Sequence, residues 1–390
     1  MKPVYIVDYA VRDTLGLDIA TNYENMGSAP GAQAITRYNT DNFPQVLTTR
    51  GFQLPDGYAE NDSNIGFKVA VDLADEIARK YTLPKDTAVI LGSFALAHSV
   101  REGFTSAFDA HQRRFSPTKL FMANHDLLSS LIAGRLKLEG LSTSLNAACS
   151  SSMYNLYMAC LMIQNGDVGS ALVGNVDAPL WPQFQYYWQC TGAISTINGG
   201  SSIPFDKSRD GFLQGEGGTL WYICDEETLV KYNLTPKAVI KSMVAGAKVY
   251  TIPAHDKTCQ HQLLMIDRAF KQSGTTANDM AFFNAHATST EVGDDIEFDV
   301  FSRAFENVDA PIVSYKGYLG HTMSACGMIE TAYSIEAVRN GYVQPNHGLT
   351  DPLSDDPRLI IKKKDLNSKT FMKASFGFGG RTAIVIIEGL

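Results

Sequence analysis

The sequence has no run approaching the roughly 20 consecutive apolar residues that a membrane-spanning helix requires, so no membrane span is expected. Its six cysteines (Cys149, Cys160, Cys190, Cys224, Cys259, Cys326) form no C-x-x-C pair, and no histidine lies at zinc-finger spacing from them. A disulfide framework or structural metal is therefore not expected, and reduced thiols in a cytoplasmic protein are the simpler reading. Basic charge is in short supply. Lys and Arg number 33 against 41 Asp and Glu, a net charge of −8 that argues against nucleic acid as the main partner. An acidic partner can dock only on a local basic patch. The segment from Met1 to Asp8 carries too short an apolar run for a signal peptide. Short-period repeats and low-complexity segments are also missing.

What remains is a globular composition, 45% hydrophobic and 19% charged. At 390 residues the chain exceeds one ordinary domain. Buried strands are expected at 3–9, 87–94, 171–177 and 219–224, with helices at 69–79 and 124–135. Residues 21–64, rich in Gly, Asn and Pro, read as irregular. The pattern then restarts, with strands at 237–245, 280–285, 311–314, 371–375 and 383–388 and helices at 262–272, 294–304 and 324–340. Strands alternating with helices imply an α/β fold with largely parallel strands. The break near Val230–Leu234 divides the chain into two similar halves, 1–231 and 232–390.

The most informative stretch is Leu145–Met162. Small residues from Ala147 to Ser152 lead into Met153, Leu156, Tyr157, Cys160 and Leu161, an apolar helical stripe. Cys149 thus falls at or just before a helix N-terminus, where unpaired N–H groups and the helix dipole favour an anion. A lowered thiol pKa is the expectation there, although a lone cysteine is more often a small buried residue.

Three further stretches carry candidate chemistry. In Asn284–Asp295, His286 leaves a buried strand for a loop of small hydroxyl residues. In Ser314–Glu330, Lys316 and His321 occupy a strand-to-helix loop, with Glu330 further along the helix. Ser375–Gly380 (SFGFGG) is a glycine loop that allows positive φ and close backbone approach. Each alone has an ordinary structural reading.

Together they resemble one family, the β-ketoacyl-acyl carrier protein synthases, the elongating condensing enzymes of the thiolase superfamily. AACSSS is similar to that family's nucleophile motif, NAHATST to its first histidine motif, K-x-x-x-x-H at Lys316–His321 to its lysine and second histidine, and SFGFGG to its C-terminal loop. RDGF-x-x-GEGG at Arg209–Gly218 also matches, in the same order. Departures are Ala287 after the first histidine, Arg381-Thr382 after the last glycines, and Val7-Asp-Tyr-Ala10 where T-G-x-G is common.

The resemblance implies a thiolase-like fold with two βαβ-type halves in an α/β/α/β/α stack. It implies Cys149 as the acyl-carrying nucleophile, His286 and His321 as enolate stabilisers, and Lys316 with Glu330 as a supporting ion pair. The backbone N–H groups of Cys149 and Phe378 would form an oxyanion hole, and Phe378 would gate the acyl pocket. No metal or cofactor is implied. A degradative thiolase would carry a cysteine in the glycine loop, and an acyl-CoA priming synthase would have Asn in place of His321. The competing reading is a non-catalytic chain-length subunit of a ketosynthase heterodimer, which usually loses its cysteine. The partners implied are an acyl carrier protein, loaded with acyl or malonyl groups, and a second related chain in a homodimer or heterodimer. The unusual N-terminal region suggests a type II polyketide or aryl polyene system. Arg113, Arg114 and Lys119 form the candidate docking patch, and residues 104–122 and 181–197 the expected pocket walls.

Overall fold

The computed structural model describes residues 2–36, 50–55, 58, 65–96, 124, 126–196, 200–249 and 257–390. Ten strands form one mixed sheet: β1 (Val4–Asp13), β2 (Ala88–Gly92), β3 (Ser142–Thr143), β4 (Ser170–Asp177), β5 (Gly217–Cys224), β6 (Ala238–Ala247), β7 (Met280–Asn284), β8 (Ile312–Val313), β9 (Thr370–Gly377) and β10 (Arg381–Gly389). Their spatial order is β8-β7-β9-β10-β6-β1-β5-β4-β2-β3. From the central seam outward, each half shows two antiparallel pairings followed by two parallel ones. The seam itself is a short antiparallel contact of Val4–Ile6 with Ala238–Ile240.

Among the described residues, the longer helices are α1 (Ile65–Lys80), α2 (Leu127–Leu136), α3 (Ser151–Asn165), α4 (Pro182–Gln189), α5 (Gln260–Ser273), α6 (Glu291–Ala304) and α7 (Cys326–Asn340). The strands read as unbroken apolar runs because alternate side chains enter different cores. Along β2, Ala88 and Ile90 face the layer of α3 and α7, while Val89 and Leu91 face α1 and α2. Along β10, Ala383, Val385 and Ile387 face the same central layer, while Ile384 and Ile386 face α5 and α6. The result is the expected five-layer stack, with α3 and α7 between the two half-sheets. In β1 a register irregularity between Ile6 and Asp8 changes the parity, so that Ile6 and Tyr9 lie on one face and Val7 and Ala10 on the other. Fully burying each such Val, Leu or Ile contributes about 1.5–3 kcal/mol.

The structure departs from expectation in a few places, first in the sheet, which is not largely parallel: five of its nine pairings are antiparallel. Ile19–Asn25, which runs into the stretch expected to be irregular, is a helix capped by Asp18, whose carboxylate accepts from the Thr21 N–H at 2.8 Å. Helix α4, not anticipated, begins with Pro182 in its first turn. Helix α1 starts four residues earlier than the periodicity suggested, at Ile65 rather than 69.

Candidate active site

Cys149 lies on a tight elbow just ahead of α3. Ala148 adopts φ 50°, a left-handed conformation rare for a residue with a Cβ. The Ser151 hydroxyl holds this peptide from both sides, accepting from the Ala147 N–H at 2.8 Å and donating to the Ala148 carbonyl at 2.6 Å. Ser152 accepts from the Met328 N–H at 3.3 Å and so ties α3 to α7. The serines that looked like mere small residues thus build the elbow. Gly377 of the C-terminal loop packs directly on it: a Cβ there would meet the Ala147 carbonyl at 2.9 Å and the Ser150 hydroxyl at 3.0 Å. Any side chain at 377 would push the loop off the nucleophile.

The structure brings Cys149, His286 and His321 onto one cavity of about 620 Å³, with Phe378 on its wall. His321 Nε2 is 3.1 Å from Cys149 Sγ. The two imidazole rings stand edge to face, their centroids 5.6 Å apart. His321 is held by its backbone, donating to the Leu213 carbonyl at 2.8 Å and accepting from the Gly215 N–H at 3.0 Å. Phe212 packs edge-on against its ring at 4.9 Å. This explains the RDGF-x-x-GEGG motif: at Gly215 a Cβ would lie 2.1 Å from the Leu319 carbonyl, so only glycine lets the strand reach the histidine loop. Phe378 is half-buried and stacks on Trp188 of α4, with centroids 5.6 Å apart and 17° between planes.

Lys316 and Glu330 meet at 2.6 Å, both fully buried. The Lys316 ammonium also donates to the His286 carbonyl at 2.6 Å and faces His286 Nδ1 at 3.3 Å. An ammonium only donates, so Nδ1 is the acceptor and the proton of the neutral ring belongs on Nε2. The carboxylate of Glu297, on α6, accepts from the N–H groups of both His286 and Ala287. Burial pushes its carboxyl up to about 7 against these hydrogen bonds. Asp177 gathers the Ser324 N–H at 2.7 Å, the Ala95 N–H at 2.7 Å and the Ser93 hydroxyl at 2.8 Å, fixing the approach to α7 just after His321.

The charge state of the thiol departs from expectation. Burial, reinforced by neighbouring Cys326, pushes the Cys149 thiol well above its ordinary value, with only a weaker opposing pull from Lys316. Desolvation in a closed site outweighs the helix terminus. His321 moves the other way: burial first, then the positive charges of Lys316 and Lys373, holds it well below 6.5. The resting pair is a neutral thiol beside a neutral imidazole.

Arg113, Arg114 and Lys119 lie outside the described residues, as does the whole stretch 104–122. Of the other expected wall, 181–197, Trp188, Thr191, Gly192 and Ala193 line the cavity, together with Glu291, Val292 and Gly293 at the start of α6. Three participants escaped the sequence reading: Glu297, Asp177 and Lys373, the last forming a second buried ion pair with Glu330. None of the three gives a signal in the sequence: a lysine in a strand reads as its solvent side, and a carboxylate on a helix or at a strand end reads as exposed.

A duplicated thiolase-like sheet around a buried thiol is the build of condensing enzymes, which carry an acyl group as a thioester. Residues 73–226 match the N-terminal domain of beta-ketoacyl synthase, and residues 237–350 match its C-terminal domain. The chain belongs to the beta-ketoacyl synthase family and is a condensing enzyme of the acyltransferase type. It is 27% identical over 414 residues to the chloroplastic 3-oxoacyl-[acyl-carrier-protein] synthase II of Arabidopsis thaliana, covering 99% of this chain and 75% of that protein. It is 24% identical over 408 residues to 3-oxoacyl-[acyl-carrier-protein] synthase 2 of Coxiella burnetii, covering 99% and 98%. A beta-ketoacyl synthase structure from Burkholderia phymatum superposes with a TM-score of 0.86 at 20% identity, over 100% of both chains. The ishigamide ketosynthase/chain length factor gives 0.86 at 20% identity, over 100% and 99%. These two structures establish the fold.

Proposed function

We propose that the chain elongates a carrier-bound acyl group by decarboxylative Claisen condensation with a malonyl unit on an acyl carrier protein. The observation that carries the reading is the 3.1 Å contact of His321 Nε2 with Cys149 Sγ, on a cavity that His286 also lines. In the first half-reaction, Cys149 Sγ attacks the acyl thioester while its proton moves to His321 Nε2. The departing carrier thiolate takes up a proton as the imidazolium loses the one on Nδ1, leaving acyl-Cys149 beside a neutral His321 that keeps its Nε2–H. In the second, the malonyl thioester loses CO2 and the electron pair becomes an enolate, whose oxygen accepts from His286 Nε2–H and His321. The enolate carbon attacks the acyl carbonyl, its oxyanion rests on the backbone N–H groups of Cys149 and Phe378, and the Cys149 thiolate leaves. Lys316 and Glu330 hold His286 in its donating tautomer, and Phe378, backed by Trp188, gates the acyl pocket. A chain-length subunit without activity would not need this complete set.

The finer parts of the reading are a type II polyketide or aryl polyene pathway, a cytoplasmic setting and a second ketosynthase-like chain as partner. The ishigamide likeness supports the last of these, and no helix among the described residues is long and apolar enough to cross a membrane. The division into halves at 231/232 belongs to the same proposal, supported by the repeated strand order. Carrier docking is assigned to Arg113, Arg114 and Lys119.

The test is to separate the two half-reactions. His286→Ala should slow CO2 release from malonyl-carrier protein by about 10²–10³ while Cys149 still accepts an acyl group. Normal decarboxylation with lost acylation would reverse the assignment.

A further inference from the structure

Lys373 is a lysine with no exposed surface, and the reaction above gives it no part. It projects from β9 and makes an ion pair with Glu330. Its ammonium also donates to the Asn284 side-chain oxygen at 3.1 Å and to the Ala285 carbonyl at 2.8 Å. The other oxygen of Glu330 holds Lys316 at 2.6 Å, and Lys316 donates to the His286 carbonyl at 2.6 Å. Two lysines therefore grip consecutive carbonyls, those of Ala285 and His286, where the chain leaves β7, and they share one carboxylate. The remaining titratable groups around them are His286, His321, Cys326 and Glu297, with Asp294 and Cys149 beyond.

One carboxylate cannot neutralise two ammonium groups. Glu297 is a poor second counter-charge, because burial keeps its carboxyl protonated up to about 7. The network therefore holds excess positive charge away from water. Such an arrangement is costly at rest and becomes favourable when a negative charge forms beside it. The charge that forms here is the enolate.

We propose that Lys373 is a positioning residue of the condensation: it holds Glu330 against Lys316 and clamps the carbonyl before His286, and its charge favours the enolate formed there. The inference rests on the condensation proposed above. It has a signature that simple packing lacks. Lys373 is one of the two cations that keep His321 neutral, so removing its charge moves that histidine's titration to higher pH.

The experiment follows CO2 release from a small malonyl thioester as a function of pH, alongside acylation of Cys149 by a small acyl thioester. Lys373→Met, close in volume and uncharged, should slow CO2 release by about tenfold or more, and slow it more than acylation. The acid limb of its acylation profile, set by His321 as the proton acceptor, should move up by about half a pH unit or more. Lys373→Arg, which keeps the charge, should return the limb to the wild-type position. CO2 release within about threefold of wild type with an unmoved limb would overturn the proposal. So would a limb that moves equally in the Arg and Met variants. Should Lys373→Met fail to fold, Lys373→Gln keeps a donor for the Ala285 carbonyl, and an unmoved limb in that variant is equally decisive. A wild-type chain that releases no CO2 would instead remove the condensation itself, and this inference with it.

Discussion

Cys149 and His321 face each other as two neutral groups, and that state governs how the site responds to pH. Burial lifts the thiol above its ordinary value and, with Lys316 and Lys373, depresses the imidazole below 6.5. The base that receives the thiol proton therefore stays unprotonated where an ordinary histidine would have titrated. The rate of Cys149 acylation should remain level as pH falls through 6.5 and decline only below it. A limb centred at or above 6.5 would mean that His321 is not the acceptor. The nucleophile itself is tested by Cys149→Ala, which should abolish acyl transfer and condensation while leaving the fold intact, because the elbow is held by Ser151 and not by the thiol. Decarboxylation should persist in this variant, since both histidines remain. Full condensation by the Ala variant would contradict the assignment.

At the scale of elements, the loop after β7 depends on α6 through Glu297, whose carboxyl receives the N–H groups of His286 and Ala287. Burial raises this carboxyl from 4.5 to about 7. Between those values the folded chain keeps a proton that the unfolded chain has released, so this group favours folding below pH 4.5 and loses that contribution as pH rises through 7. The stability advantage of wild type over Glu297→Gln should therefore shrink from pH 4.5 to 7, measured by thermal or denaturant unfolding. An advantage that grows over this range would show that the carboxyl is ionised. Much at this scale was legible in the sequence. Strands such as β2 and β10 announced themselves because apolar residues must fill cores on both faces. The motifs around Cys149, His286, His321 and the glycine loop named the site. Lys373 was not legible, because a lysine between Met372 and Ala374 reads as the solvent side of a strand until the fold sets it against Glu330. Helix α4 was missed because its buried Phe184 and Trp188 alternate with exposed Tyr186 and Tyr187, an aromatic cluster with little helical contrast.

At the scale of the whole molecule, a net charge of −8 opposes any acidic partner. Carrier docking then needs a local basic surface. Reversing the charge of Arg113 and Arg114 should raise the apparent KM for acyl-carrier protein several-fold and flatten its salt dependence. Reaction with small thioesters, which make no protein contact, should be nearly unchanged. Equal loss with both substrates would assign these arginines to the fold or to a subunit contact. The same layering explains why the site is closed. With α3 and α7 enclosed between two half-sheets, Cys149 and His321 meet in the middle of the molecule and their charges are set by burial.

The most direct test of the account is mass spectrometry of the chain incubated with acyl-carrier protein and then with malonyl-carrier protein. The account predicts one acyl group on the peptide containing Cys149, discharged with release of CO2 when the malonyl carrier is added, and no adduct in Cys149→Ala. An acyl group on another cysteine, such as the exposed Cys190, or an acyl-Cys149 that malonyl-carrier protein does not discharge, would contradict it.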